Sequence, residues 1–122
     1  MEGWGSSKAA AFSEVAQAMV DAFADVSGAE ATEPRPVSID PGSDDDMLVA
    51  LLEEVIFVAE IFAKVPVDIR LEETEKGGLA GFLDVAPLAN IALIGVAPKA
   101  VSRSDLDVID GESWVCRATV DV

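Results

Sequence analysis

The sequence contains no histidine and no tyrosine, one cysteine, and only 8 lysine and arginine residues among 122. Without histidine, neither a Ser/His nor a Cys/His nucleophilic pair can be built. A single cysteine excludes an internal disulfide and fits a reducing compartment, so a cytoplasmic protein is expected. Against the few cations stand 23 acidic residues, giving a formal charge of −15. Such a surface repels phosphate backbones, which argues against direct nucleic-acid binding as the main activity. It points instead to a basic protein surface or to cations, and it also keeps an Ala/Val-rich domain in solution. The start lacks the basic n-region of a signal peptide. The longest apolar stretch, Met47 to Ala63, is interrupted by Glu53, Glu54 and Glu60, so no membrane span is expected. With hydrophobic residues at 51%, residues 1–122 are read as one folded domain with a real core.

Taken in order, Glu2 to Gly5 reads as the end of a strand, and Ser6-Ser7 can cap the helix that follows. Phe12, Val15, Met19, Phe23 and Val26 recur at helical spacing, with Gly28 as the stop. Ala29 to Pro36 reads as an acidic, proline-bearing loop, and Val37-Ser38-Ile39 as a short strand. Asp44-Asp45-Asp46 opens a second helix, where carboxylates complement the dipole. These consecutive carboxylates lack the alternating spacing of a calcium loop, and capping is the favoured account. From Leu48 to Ala63 the second helix is apolar almost all round, wet along a stripe of Asp46, Glu53, Glu60 and Lys64 with Glu54 beside it. That pattern predicts a middle layer with sheet on more than one face. On this reading Ile56→Ala or Phe57→Ala costs on the order of 2–5 kcal/mol, and Glu53→Ala little. Val67, Ile69 and Leu71 alternate with polar residues as a strand. Leu79–Ala86 and Ala89–Val96 read as two more. The class is α+β.

The last quarter holds the best candidate site. Val96–Ser102 and Trp114–Val122 read as two strands folded back on Asp110-Gly111, a tight-turn signal. Trp114, Cys116, Ala118, Val120 and Val122 share one face of the second strand; Val115, Arg117, Thr119 and Asp121 share the other. Cys116, on the apolar face, reads as a small buried hydrophobe. Folding the hairpin brings Lys99 near Asp121. A two-residue loop would set Ala100 opposite Asp121 and leave Lys99 and Asp121 on opposite faces. A shared site therefore needs an odd loop or a bulge, expected between Val108 and Ser113.

Pro98-Lys99-Ala100-Val101, Leu106, Trp114 and the closing Asp121-Val122 resemble the C-terminal end of the archease family. The resemblance continues through Gly3-Trp4-Gly5, the Phe12 helix, Phe23-Ala24-Asp25-Val26 and the acidic start before Leu48, covering nearly the whole chain. It departs at the family's His-Thr-Ala-Asp strand, which should precede Glu2; an in-frame extension encoding it is expected upstream. The resemblance implies an archease-like sandwich, with two helices packed between or against antiparallel-rich sheet layers. It also implies that the closing Asp121 belongs to a divalent-metal pocket, for calcium or magnesium, with Lys99 a functional residue beside it. Without the missing His and Asp, residues 1–122 are expected to bind metal weakly and to stimulate an RNA ligase poorly. Archease proteins are protein cofactors of RtcB-type RNA ligases, promoting guanylylation and turnover in tRNA splicing and RNA repair, so the implied protein is an activator and not an enzyme. The alternatives are a metal-free acidic interaction domain and a hydrolase built on carboxylates alone. A monomer, or a chain that self-associates weakly, is expected.

Overall fold

In the computed structural model, which describes residues 1–122, the first strand lies directly on the first helix because it carries glycine at alternate positions. A Cβ on Gly3 would fall 2.7 Å from the Val15 nitrogen, and one on Gly5 would fall 2.7 Å from the Ala10 Cβ. Strand β1 (Glu2–Gly5) can therefore press against helix α1 (Lys8–Asp21), while Trp4 between the glycines points outward. The Ser7 hydroxyl caps α1 by accepting the Ala10 N–H. The helix stops at Asp21, earlier than the Gly28 boundary its spacing predicts. Phe23 leaves the helix yet stays buried, leading into the two-residue strand β2 (Ala24–Asp25), and Gly28 sits in a later turn at φ +76°.

Strand β3 (Glu33–Ile39) begins inside the segment read as a loop. Pro34 and Pro36 disguise it, since proline cannot donate to a ladder. Here β3 is an edge strand bonded only to β5 (Leu79–Pro87), and the missing donors cost nothing on that side. Helix α2 (Asp44–Phe62) starts at Ser43, whose hydroxyl accepts the Asp46 N–H, with Asp44, Asp45 and Asp46 in its first turn. It ends on Ala63 in the left-handed region at φ 52°. Strand β4 (Lys64–Glu73) pairs with β5, and Val67 is the extra residue where the register shifts between Pro66 and Asp68.

The segment read as a strand over Ala89–Val96 is different. A 3-10 turn (Leu88–Asn90) and a two-residue strand β6 (Ala92–Leu93) are followed by irregular chain to Lys99. Only β2 pairs with it, and Leu93, Ile94 and Val96 stay exposed. Gly95 permits the bend, since a Cβ there would meet the Ala22 carbonyl at 2.5 Å. Strands β7 (Ala100–Asp110) and β8 (Trp114–Asp121) complete the chain.

One sheet has the order β1-β8-β7, a second β3-β5-β4, and β2-β6 form a small ladder; every pairing is antiparallel. Helix α1 packs on β1 and β8 on one side and β4 on the other, while α2 packs on β7 and on β3 and β4. The two helices thus lie between two sheets, the α+β sandwich expected. Leu48, Leu51, Leu52 and Val58 of α2 are fully enclosed with Phe12, Val15 and Leu83.

Phe57 corrects the sequence reading. It is 44% exposed, because its position on the helix wheel falls within the stripe of Glu53 and Glu60. Leu52→Ala is expected to lower stability by about 2–5 kcal/mol and Phe57→Ala by less than about 1 kcal/mol. Chemical denaturation of the two variants checks this.

Candidate functional site

Lys99 and Asp121 meet at one end of the β7–β8 hairpin, but only through their main chains. The Lys99 N–H donates to the Asp121 carbonyl at 2.7 Å. No ion pair joins the ammonium to the carboxylate. The reason lies in the register. Asp110 pairs with Trp114, so the loop is Gly111–Ser113, an odd one within the stretch where an irregularity is predicted. A second irregularity then undoes the first. Between Ser102 and Asp107, β7 advances five positions while β8 advances two, from Thr119 to Arg117. Asp105, at φ 60°, sits inside this bulge. The result is Ala100 opposite Asp121, the pairing a two-residue loop would have given.

The faces of β8 match the alternation in its sequence. Cys116 and Ala118 are buried with Trp114 and Val120 partly buried, while Arg117, Thr119 and Asp121 are exposed. Asp121 lies on the outer face of the sheet. Lys99 borders a cleft of about 420 Å³ lined by Ile56, Ala59 and Glu60 of α2, with Leu88, Ala97 and Pro98. Glu60, read from sequence as part of a solvated seam, is therefore the carboxylate that shares a cavity with Lys99. Its helical spacing gave no sign of this, since the cleft wall comes from the irregular segment before β7.

The other acidic run behaves as a cap. Lys8 reaches Asp44 at 3.0 Å and lies 5.7 Å from the Trp114 ring centre, and Arg103 in the β7 bulge reaches Asp46 at 2.8 Å. The hydrogen bond from Arg103 and then that with Ser43 hold the Asp46 carboxyl below its ordinary 3.8. Cys116 is enclosed, and loss of hydration, with a smaller effect from the Asp44 charge, pushes its thiol up to about 11.

A divalent cation does not fit these residues. Hard cations take roughly six or more oxygen ligands, and no group of three or more His, Cys, Asp or Glu side chains converges in residues 1–122. Asp121 stands on its face with Arg117 and Thr119 as strand neighbours. No helix is long and apolar enough to cross a membrane.

These features define an acidic two-sheet sandwich with helices between its layers and a lysine-bordered cleft beside its C-terminal hairpin. The model of the archease protein family matches residues 1–122. The "Probable protein archease" of Mycobacterium tuberculosis, from each of two strains, is 32% identical over 123 residues, covering 100% of this chain and 68% of that protein. The crystal structure of an archease from Thermotoga maritima, described as a possible chaperone, superposes with a TM-score of 0.69. It covers 100% of this chain and 88% of that one at 14% identity, a likeness of fold alone. The chain belongs to the archease family.

Two outcomes follow from the electrostatics. Because the folded pKa of Asp46 is depressed, its contribution to stability is full above about pH 4 and is lost as pH falls through the lower folded value. Melting temperatures of Asp46→Asn should accordingly fall less steeply than those of the parent between about pH 5 and pH 2.5. The Cys116 thiol should resist iodoacetamide at pH 8 until denaturant is added, as mass spectrometry of the quenched protein would show.

Proposed function

We propose that the chain acts as a protein cofactor of an RtcB-type RNA ligase, promoting its guanylylation and turnover in tRNA splicing and RNA repair, without being an enzyme itself. The observation that carries this reading is the family match across residues 1–122. The charge of −15 supports it, because a ligase that binds RNA presents a basic groove toward which an acidic protein is drawn. On this reading the working surface is the hairpin end. Asp121 offers a carboxylate on the outer face, and Lys99 offers an ammonium at the mouth of the α2 cleft. The partner is a cytoplasmic protein, and the chain meets it as a monomer or a weakly self-associating species.

A second reading, a metal-free acidic interaction domain, draws support from the absence of converging ligand side chains. Calcium or magnesium titrated by calorimetry should bind more weakly than about 1 mM, the range of the loosest protein calcium sites. Guanylylation of an RtcB-type ligase should rise modestly on adding the chain and fall back with Asp121→Ala or Lys99→Ala. Binding to the ligase with no change in guanylylation would instead favour the interaction domain, and no binding at all would remove both.

A further inference from the structure

The exposed arc of α2 carries Phe57 and Ile61, with Ala50 two turns earlier and half-buried. Phe57 and Ile61 are four apart and Ala50 and Phe57 seven apart, so the three lie in one row roughly 15 Å long. Glu54 flanks the row on one side and Glu53 and Glu60 on the other. The row runs between two clefts. One, of about 400 Å³, is walled by Ile39, Pro41, Ala50 and Glu54; the other is the Lys99 cleft of about 420 Å³. Phe57 is held in place by an edge-to-face contact with Phe62, ring centres 5.8 Å apart, and Phe62 is covered in turn by the Arg35 guanidinium at 4.3 Å. An aromatic ring fixed in this way loses little freedom on binding.

Charge decides what such a face can accept. Lys8, Lys64, Arg70, Arg103 and Arg117 are in ion pairs with other carboxylates. None of the chain's cations pairs with Glu53, Glu54 or Glu60. We infer that this face of α2 docks a basic amphipathic helix of a partner protein. That helix would lay apolar side chains along Ala50, Phe57 and Ile61 and set Lys or Arg against the three glutamates. Lys99 at the mouth of the second cleft directs an apolar side chain, and not a cation, into that end. A second copy of this chain is disfavoured as occupant, because it would bring the same glutamates into the contact. The inference shares the Lys99 cleft with the ligase reading, but it rests on the Ala50, Phe57 and Ile61 row and its flanking glutamates and not on Asp121, so loss of peptide binding and loss of guanylylation are separate outcomes.

The test uses the full chain and a synthetic helical peptide of leucine, lysine and arginine, with leucines spaced to form one stripe. A scrambled peptide of identical composition is the control. Fluorescence anisotropy should show the ordered peptide binding at least about tenfold more tightly than the scrambled one. Phe57→Ala should weaken it about tenfold, as should the combined Glu53→Gln, Glu54→Gln and Glu60→Gln variant, which should also flatten the salt dependence. Trp4→Ala, on the outer face of the β1-β8-β7 sheet, should leave binding unchanged. Unaltered thermal melts would show that the variants remain folded. Equal binding of both peptides would reduce the effect to bulk charge and overturn the inference. So would sensitivity to Trp4→Ala in place of Phe57→Ala, or a dimer in sedimentation that Phe57→Ala dissolves.

Discussion

Helix α2 cannot be covered from one side. Met47, Leu48, Val49, Leu51, Leu52, Val55, Ile56 and Val58 occupy more than half of its circumference and are buried. One sheet screens only one face of a helix, so the chain must supply a second, and α1 must fill the remaining space between them. Strands from both ends of the sequence contribute to this enclosure: β1 and β8 meet in one sheet, and β3, β5 and β4 form the other. The glycines of β1 serve the same end by letting the sheet settle onto α1 at backbone distance. What remains uncovered on α2 is a narrow arc, and its composition is therefore a matter of surface chemistry and not of packing.

Scarcity of cations shapes the rest. With 8 basic residues against 23 acidic ones, five of the lysines and arginines are placed where an ion pair ties two elements together. Lys8 joins α1 to the start of α2, Arg103 joins the β7 bulge to the same turn, and Arg117 holds Glu2 across β1 and β8. Arg70 grips Asp84 through two 2.8 Å bonds and lies over Phe82. Lys99 is in none of these pairs. Its exposure beside an apolar cleft, in a chain otherwise so sparing with positive charge, makes that end of the molecule chemically distinct from the rest of its surface.

Much of the fold was legible because periodicity records burial. The α2 pattern predicted a middle layer, and the alternation in β8 assigned every residue from Trp114 to Asp121 to its face. Three features were not legible, each for a physical reason. Pro34 and Pro36 hide an edge strand, because tolerance of proline depends on which neighbour is present and the sequence does not name neighbours. Ala89–Val96 has strand-like residues but only a two-residue partner, so tertiary context overrides propensity. The site depended on register. Parity at Asp121 is set by two irregularities that cancel, and the one at Arg103–Leu106 leaves no glycine or proline to mark it. Phe57 reads as core on its identity as an aromatic residue, while its angle on the helix wheel puts it among glutamates and it is exposed.

The prolines of β3 have one more consequence. A chain that is 51% hydrophobic and built largely of antiparallel strands risks templating other molecules along its open sheet margins. On the β3 margin, Pro34 and Pro36 remove two N–H groups from any incoming strand's reach. On the opposite margin, β4 carries Lys64, Pro66 and the Val67 bulge, which break the flat, continuous ladder that amyloid-like stacking requires. This sheet is thus closed to growth in both directions by its own covalent structure, without a covering helix and without dependence on net charge. Conditions that screen the acidic surface, such as high salt or mild acid, would leave that barrier standing.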